Sequence, residues 1–439
     1  MNVLIISMDC VGEGLAFGLK CVEAGHKVRL YLAPENNKTT ADGFKGIEKI
    51  DNWVASIKWA HLIFPTGNHK FLPKLDSLRK QGVKVFGPSV ASAELEIDRN
   101  KGMKFLQKHG IQVPEYEEFK TLADAEKHVR KTEERYVFKT LGDEDDKSLS
   151  YCAKSPADLI ARLQRWQKLG MNPKGPVMLQ EFIPGTEFAV SRWMGKDGFV
   201  GMYNENFEHK KFCSGNVGPN TGEQGTVQKY VTSSSLGDEV LKPLEKALVS
   251  MGHMGDIDVN CIVDEHGQAW PLEFTCRPGW PAFNIMLSEH TEPVQWMLDA
   301  CKGKDTTKFS TDVAVGIVLA QPDYPYSAAT KAETDGIPIY GVTKKNSKYI
   351  MPQAVKIEKH PDMNGEKVIE RDIWSTTGDY LMVVTGTGET VKRACKRAFD
   401  TVKQIQVPDM IYRDDIGEKL KEEIPTLQNF GYATEFEYS

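Results

Sequence analysis

The feature that most constrains the fold is an alternation of short apolar strands with helical segments at the start of the chain. Residues 3–6 form a β-branched run, a glycine loop follows, and residues 15–19 place apolar side chains on one face of a helix. Three more strand patterns end in turns, at 27–32, 62–64 and 84–86. Because strands that alternate with helices usually pair in parallel, we predict a Rossmann-like α/β domain here.

The chain continues well beyond this domain. With 439 residues the chain is too long to fold around one hydrophobic core, so about three modules are expected. A helix at about 98–109, apolar strands, and a hairpin that turns at His266-Gly267 indicate an α+β region. The predicted domains are a Rossmann-like domain at 1–95, an α+β domain at 96–305 with a subdomain at about 112–185, and a small mixed C-terminal domain at 306–439.

Charge and cysteine usage narrow the functional classes. The 55 Lys and Arg against 61 Asp and Glu give a net charge of -6, which argues against a general nucleic-acid or acidic-membrane surface. The eight cysteines are scattered without a CxxC pair, as in reduced cytoplasmic proteins. No stretch is long and apolar enough to span a bilayer. We therefore expect a cytoplasmic protein, a monomer or homodimer, that acts on small molecules.

A hairpin in the second module carries polar side chains where a core would otherwise be expected. The period of two places Glu273, Thr275 and Arg277 on one face of a strand, and Asp258 and Asn260 on one face of its neighbour. Carboxylate and amide oxygens suit Mg²⁺, and a guanidinium can hold a phosphoryl group. The hairpin predicts a magnesium site, with an exposed face and an ordinary ion pair as the alternative.

Three cations could neutralise a triphosphate. Arg99 starts a helix, Lys139 ends an apolar strand, and Lys147 lies in the loop beyond it. Phosphoryl transfer relies on several positioned cations because the protein contributes little covalent chemistry. Taken singly, Lys139 could instead extend along its apolar neighbours to reach water.

Two further segments could contact ligands. A strand that leads into the Pro184-Gly185 turn can present backbone groups to an adenine edge, and a nearby acid can accept from ribose hydroxyls. The residues concerned are Gln180, Glu181, Phe182, Ile183 and Glu187. A rigid turn at 218–222 could bind a small carboxylate or phosphate through its amides. An edge strand and a plain surface loop are the alternatives.

The first module also suggests a dinucleotide site. Gly12, Gly14 and Gly18 form a loose glycine fingerprint, and Glu35 ends the second strand, where an acid could bind ribose. The spacing after Gly14 is one residue too long for the usual pattern. A tight turn, or a pocket for another ligand at the helix N-terminus, is the alternative to a dinucleotide-dependent oxidoreductase.

Taken in order, motifs along nearly the whole chain resemble the phosphoribosylamine-glycine ligase family of ATP-grasp enzymes. The residues that carry the resemblance are Phe86-Gly87-Pro88-Ser89, Leu95-Glu96, Phe105-Leu106, His109, Glu181-Phe182, Gly185, Glu187, His209-Lys210, Gly218-Pro219-Asn220-Thr221-Gly222, Glu273-Phe274, Cys276-Arg277, Ile285-Met286-Leu287 and Asp415-Ile416-Gly417. Their shared order and spacing make the ATP-grasp assignment specific. The resemblance implies that residues 96–305 are an ATP-grasp domain with a lid subdomain at about 112–185.

The resemblance implies a ligase that uses Mg-ATP to activate a carboxylate as an acyl phosphate, which an amine then opens. By position, Lys139, Lys147 and Arg99 would contact phosphates, Gln180 to Ile183 adenine, and Glu187 ribose. Glu273 would bind magnesium, aided by Thr275 and by Asp258 or Asn260. Arg277 and Lys147 would be catalytic, and the substrate would lie near His209, Lys210, Asn220, Thr221, Gly222 and Gly12.

Departures from the family pattern concentrate in the region for the sugar-phosphate amine. Residues 9–14 lack the arginine and histidine of the family's glycine-rich loop, and an acidic segment at 142–146 replaces its phosphate lid. Thr275 stands where the family has asparagine, and Trp280-Pro281-Ala282 lacks its acid. We therefore expect a carboxylate-amine ligase with glycine or a similar donor and an altered amine acceptor. A true phosphoribosylamine-glycine ligase and a nucleotide-binding protein without turnover are the alternatives.

Overall fold

The structure is a computed structural model that describes residues 1–8, 14–33, 38–141, 150–171, 173, 175–326 and 332–439. The predicted site residues Gly12 and Lys147, together with Glu35, lie outside these ranges. The other predicted site residues lie within them.

The N-terminal region has the parallel sheet that its alternating pattern predicts. Its elements are β1 (Asn2–Ser7), α1 (Gly14–Glu23), β2 (Lys27–Leu32), β3 (Ile47–Ile50), β4 (Leu62–Pro65), α2 (Leu72–Lys80) and α3 (Val90–Ile97). The sheet order is β3-β2-β1-β4 and every pair is parallel. The expected strand at 84–86 contributes an isolated parallel bridge between Ile63 and Val85. The Rossmann-like prediction is confirmed.

Helix α1 packs directly on this sheet through two of the glycines. A Cβ atom at Gly14 would lie 2.4 Å from Cγ2 of Ile5, and one at Gly18 would lie 3.0 Å from Cδ1 of Ile47. Any larger side chain would push the helix away from the strands. Both glycines therefore have a packing role.

The next region forms a small sheet covered by helices on one face. Its elements are α4 (Arg99–Lys108), β5 (Tyr116–Phe119), α5 (Leu122–Val129), β6 (Tyr136–Thr140), β7 (Tyr151–Cys152), α6 (Pro156–Lys168) and β8 (Val177–Glu181). The order is β5-β8-β6-β7, so β8 is an interior strand and the edge-strand alternative is wrong. Phe138 and Leu179 belong to a core with Leu159 and Trp166 of α6. Residues at alternate positions therefore face away from the helices.

A large sheet lies beside this small one. Its elements and connections are β9 (Thr186–Met194), β10 (Phe199–Glu208), β11 (Lys211–Cys213), β12 (Val217–Asn220), β13 (Gly225–Val231), α7 (Ser235–Val240), α8 (Glu245–Ser250), β14 (Gly255–Val263), β15 (Ala269–Thr275), α9 (Ala282–Met286) and α10 (Pro293–Ala300). Strands β11 and β12 form a separate two-stranded hairpin between β10 and β13.

The C-terminal region continues the large sheet. Its elements are β16 (Val313–Ala320), β17 (Asp335–Ile339), β18 (Ile350–Pro352), β19 (Val355–Asn364), β20 (Lys367–Thr377), β21 (Tyr380–Gly388), α11 (Val391–Val402) and α12 (Leu420–Gln428). The large sheet has the order β15-β14-β9-β10-β13-β16-β21-β18, and β17, β20 and β19 form a separate sheet. Strand β16 is buried along its whole length. Pairing of β13 with β16 carries one sheet across the domain boundary predicted near residue 306.

Two findings bear on the environment of the chain. Among the helices that the structure describes, none is long and apolar enough to cross a membrane. The cysteines in the described ranges are all unpaired, which agrees with the expectation of reduced thiols.

Arg413 ties the β11–β12 hairpin to the C-terminal region. Its side chain is 2% exposed, and its Nε and Nη2 atoms each donate to a carboxylate oxygen of Asp415 at 2.7 Å. Nη1 donates to the carbonyl of Lys211 at 3.1 Å and to Oδ1 of Asn216 at 3.0 Å. The guanidinium thus fixes the position of the hairpin relative to the C-terminal region.

Arg413→Ala should destabilise the fold because it removes the cationic partner of Asp415 and a donor to the hairpin carbonyl of Lys211. We expect the free energy of unfolding to fall by about 3–5 kcal/mol, as for other broken buried ion pairs. Urea denaturation measures this change. Arg393→Ala, which removes an exposed helical pair with Glu389, is the matched control and should change stability by less than about 0.5 kcal/mol. Equal effects of the two substitutions would contradict the anchoring role.

Candidate active site

A cavity of about 480 Å³ opens where the two sheets and the N-terminal region meet. Its walls come from the loop after β4, the ends of α3 and α4, strands β10, β14 and β15, and the loop before α9. The polar and charged residues that line it are Asn68, His69, Glu96, Arg99, Thr140, Ser150, Ser191, Asn206, Glu208, Lys210, Glu223, Asp256, Asp258, Glu273, Thr275 and Arg277. Residues far apart in sequence thus share one chamber.

The register of the β14–β15 hairpin places the four predicted metal ligands side by side. Asp258 lies opposite Thr275 and Asn260 lies opposite Glu273, so all four side chains share one face of the sheet. Oδ1 of Asn260 is buried without a hydrogen-bond partner. In the described ranges, no group of three or more His, Cys, Asp or Glu side chains is arranged to hold a metal ion. The hairpin therefore offers two carboxylates, one amide oxygen and one hydroxyl rather than a closed cage.

Glu273 is held between two cations. Nη2 of Arg99 lies 3.1 Å from its Oε2, and Nζ of Lys210 lies 3.3 Å from its Oε1. Arg99 begins helix α4, whose N-cap is Asp98. The helix start and the hairpin are thus joined at the centre of the cavity.

Lys210 bridges three carboxylates that come from three strands. Its ammonium nitrogen lies 2.7 Å from Oε1 of Glu187 and 2.9 Å from Oε2 of Glu208, in addition to its contact with Glu273. Although burial opposes the charged form, these carboxylates hold the pKa of Lys210 well above its usual range. Burial tends to raise the pKa of Glu187, but Lys210 holds it below its ordinary value. Lys210 therefore remains charged across the physiological pH range.

Lys139 points from the small sheet into the same region. It lies opposite Met178 on the face away from the helices, is 8% exposed, and its Nζ is 3.5 Å from the carbonyl oxygen of Leu272. Burial, reinforced by the charge of Arg99, lowers the pKa of Lys139 to about 7. The side chain does not extend to water, so the alternative proposed for it from sequence is wrong.

Arg277 occupies another wall of the cavity. Its Nε lies 3.2 Å from Oε1 of Glu96, and Oε2 of Glu96 accepts the backbone N–H of Cys276 at 2.7 Å. Glu96 at the end of α3 thus orients the guanidinium and the backbone that carries it. The conformation leaves Arg277 lining the cavity.

The predicted adenine segment lies on β8 and the residues after it. Gln180 is 1% exposed and its Nε2 has no hydrogen-bond partner, whereas Glu181 is exposed. The guanidinium of Arg135 lies over the ring of Phe182 at 3.4 Å from its centroid. Gln180 lies opposite Val137, on the same face of the sheet as Lys139. The buried amide group of Gln180 and the buried ammonium group of Lys139 therefore lie on the same face of the small sheet. Ile183, just after the end of the strand, is also buried.

The predicted substrate residues divide into two groups. Gly222 lines the cavity, and both the N–H and the hydroxyl of Thr221 donate to the carbonyl of Lys210, at 2.8 and 2.9 Å. Asn220 pairs with Lys211 in the exposed hairpin. His209 is buried, does not line the cavity, and its Nε2 accepts the N–H of Gly417 at 3.1 Å. Burial lowers the pKa of His209 well below its usual value, so its ring is neutral.

Several carboxylates of the cavity were missed from sequence. Glu208, Glu223 and Asp256 line it together with Glu96. Burial raises the pKa of Asp256 to about 7, and burial together with Glu208 raises that of Asp258 well above its usual range. Asn204, Asn206 and Glu208 occupy every second position of β10. This spacing indicates from sequence that one face of the strand borders a polar cavity.

Comparison with known families agrees with this geometry. The family model described as "Phosphoribosylglycinamide synthetase, ATP-grasp (A) domain" matches residues 99–281. The model described as "Phosphoribosylglycinamide synthetase, C domain" matches residues 314–419. The two matches include both sheets that enclose the cavity.

Individual relatives extend the likeness over most of the chain. A phosphoribosylamine–glycine ligase from Salmonella typhimurium is 27% identical over 361 residues, covering 78% of this chain and 79% of the relative. One from Yersinia pestis is 25% identical and covers 95% of this chain and 98% of the relative. The crystal structure of phosphoribosylamine–glycine ligase from Thermotoga maritima superposes with a TM-score of 0.73 at 22% identity, covering 94% of this chain and all of that one.

Lys139→Met should stabilise the protein near neutral pH. The folded-state pKa of Lys139 lies near 7, below the value of about 10.4 in an unfolded chain, so unfolding takes up a proton between these values. Removal of the ammonium group eliminates that penalty, so the gain in stability should be largest near pH 7 and shrink towards pH 10. Urea denaturation of both proteins across this range measures the difference. A gain that does not depend on pH would contradict the lowered pKa.

Proposed function

This chain belongs to the phosphoribosylglycinamide synthetase family of ATP-grasp ligases, and we propose that it joins the carboxylate of a small amino acid to an amine. It is a ligase that forms a C–N bond. The observation that best supports the proposed site is the meeting of Arg99, Lys139 and Lys210 around Glu273, at the junction of the two sheets. Both substrates are small molecules, in keeping with the size of the cavity.

The cations of the junction suit a nucleotide triphosphate. Lys139 carries a desolvated amine whose charged form lacks an anionic contact within salt-bridge distance in the described residues. A phosphate group nearby would restore that charge, since an opposite charge favours the ionised form. The unpartnered Nε2 of Gln180, on the same face, is a donor for a ring nitrogen of adenine. Lys139 and Arg99 would therefore hold phosphates, and residues 180–183 would hold the base.

The oxygen ligands that the β14–β15 hairpin provides also suit magnesium. Oδ1 of Asn260 is unpartnered and lies opposite Glu273, and both are hard oxygen ligands. Asp258 and Thr275 lie beside them on the same face. We propose that Glu273 and Asn260 hold the metal, which would neutralise phosphate charge. Lys147 remains a proposed phosphate ligand from the sequence resemblance.

The role of ATP is to activate the donor carboxylate as an acyl phosphate. The guanidinium of Arg277 can stabilise the negative charge of the group being transferred, because Glu96 holds it at the cavity wall. The Thr221 contacts fix the backbone beside Gly222, where a small amino acid could bind. These residues position the reactants rather than form covalent bonds.

The donor is proposed to be glycine or a similarly small amino acid, and the acceptor to differ from the phosphoribosylamine in the names of the relatives. Incubation with Mg-ATP, glycine and a panel of amines, with phosphate release and product mass as readouts, tests the ligase. Release that requires both substrates is the expected result. If phosphoribosylamine is the one amine in the panel that supports phosphate release with glycine, the acceptor is that of the relatives. If no pair of substrates gives phosphate release, the protein is not a catalyst of this reaction.

Arg277→Ala should slow turnover while ATP still binds. We expect kcat to fall by about 10²–10³-fold, as when a positioned charge-stabilising donor is removed, with the ATP dissociation constant changed by less than about threefold. Phosphate release and ATP titration measure the two quantities. Arg162→Ala, which removes a cation that lies over Tyr151 of the small sheet, is the control and should retain kcat. Retained activity in Arg277→Ala would exclude this arginine from the chemistry.

A further inference from the structure

Three carboxylates at the cavity wall have no cationic partner. Asp256, Asp258 and Glu223 are 1%, 7% and 8% exposed, and each lines the cavity. Within the part of the chain that the structure describes, none of them forms an ion pair. Burial of a carboxylate without a countercharge is unfavourable, so the arrangement requires an explanation.

The neighbours of these carboxylates satisfy only part of their hydrogen-bonding capacity. Oδ2 of Asp258 accepts from Nδ2 of Asn206 at 3.0 Å, and Glu223 accepts from the hydroxyl of Thr226. The N–H of Gly279 and the hydroxyl of Ser191 lie near Asp256, but its Oδ1 has no donor within hydrogen-bond distance. Asp256, which lines the cavity, thus has a buried acceptor oxygen without a donor.

The cavity is lined by more acidic than basic side chains. Six carboxyl groups and three charged cations line it, and the cations are committed to other partners. Arg99 pairs with Glu273, Arg277 pairs with Glu96, and Lys210 pairs with Glu208 among others. The three remaining carboxyl groups offer no countercharge to a phosphate-bearing amine, whereas an ammonium group could donate to their oxygens.

A metal ion is a poorer explanation than an ammonium group. The proposed magnesium ligands are Glu273 and Asn260, so a metal ion held by them does not account for the unpartnered Oδ1 of Asp256. An ammonium group needs acceptors in less strict geometry, because it donates three hydrogen bonds from a freely rotating centre. The amide oxygen of Asn206, next to Asp258, could serve as a further neutral acceptor.

We propose that the acceptor is a small diamine, with one amine reacting and the second, an ammonium group, bound by Asp256 together with Asp258 and Glu223. This proposal rests on the proposed ligase function and specifies its acceptor. The neutral amine nitrogen forms a bond to the activated carbonyl carbon while the bond from that carbon to the phosphate oxygen breaks. Inorganic phosphate leaves with the electron pair, and the nitrogen loses one proton to solvent. The distal ammonium group is unchanged.

Three acceptors that share an aminopropyl chain test the charge preference. With Mg-ATP and glycine, 1,3-diaminopropane and 3-amino-1-propanol have equal length and differ in the charge of the far group, and 3-aminopropyl phosphate adds a bulkier anionic group there. We expect kcat/KM for the diamine to exceed that for the alcohol by at least about tenfold, and that for the phosphate by more. An equal or reversed order, with phosphate still released, overturns the inference while the ligase function stands.

Isosteric variants test whether Asp256 and Glu223 cause the preference for the diamine over the alcohol. Asp256→Asn and Glu223→Gln should each reduce the ratio of kcat/KM for the diamine to kcat/KM for the alcohol by about tenfold, mainly through a higher KM for the diamine. Glu205→Gln is the matched control, because Glu205 is a buried carboxylate of β10 that accepts from Ser234 at 2.6 Å and does not line the cavity. The Glu205→Gln variant should keep the preference for the diamine. An unchanged preference in both cavity variants overturns the assignment.

Binding without turnover separates the two proposals. Calorimetric titration of the unmodified protein with 1,3-diaminopropane and 3-amino-1-propanol at equal ionic strength should show at least tenfold tighter binding of the diamine. If no acceptor gives phosphate release, the ligase function fails and this titration still decides the charge preference. As carboxylate donors in place of glycine, 2,4-diaminobutanoate and 2-aminobutanoate differ in the second amine. If the diamino acid is preferred by a similar factor, the ammonium site belongs to the donor, and the assignment to the acceptor is wrong.

Discussion

The site depends on the contact of one ammonium group with three carboxylates. Glu187 on β9, Glu208 on β10 and Glu273 on β15 would repel one another if Lys210 did not lie between them. Since Arg99 at the start of α4 contacts the same Glu273, the network also joins the helix to the large sheet. Removal of Lys210 would leave three partly buried carboxylates close together, which is more costly than the loss of an isolated surface pair. The positions of the proposed metal ligands follow from this network.

The small sheet contributes to the site through the alternation of its side chains. Phe138 faces the helices and Lys139 faces the large sheet, because neighbouring residues of a strand point to opposite sides. The hydrophobic core with Trp166 therefore fixes the direction in which the ammonium group points. Its desolvation follows from packing on both sheets, and the lowered pKa of Lys139 results from the same geometry that places it near Glu273.

Local patterns predicted the parts of the site that lie on one hairpin. The period of two and a short turn at Gly267 were enough to place Asp258, Asn260 and Glu273 on one face, as the register confirms. The order of the motifs identified the family, as the matches to its two domain models confirm. The interior position of β8 and the union of β13 with β16 could not be predicted, because both depend on which distant strands pair.

The missed carboxylates have the same physical origin. Asp256 and Glu223 lie on separate strands or turns, and each alone is an ordinary polar residue in sequence. They become informative once the sheet order places β14, β9, β10 and β13 side by side. The acidic segment at 142–146 lies outside the described residues, so its position relative to phosphates stays a prediction from sequence.

Basic and acidic side chains approach the site from different sheets. Lys139 lies on the small sheet, whereas Asp256, Asp258 and Glu223 lie on or next to strands of the large one. If phosphates bind beside Lys139, as proposed, the three carboxyl groups are left for the second substrate. Their oxygens match the hydrogen-bond donors of an ammonium group and offer no countercharge to an anion. Burial of these carboxyl groups would then serve specificity, because an anionic competitor gains no partner there.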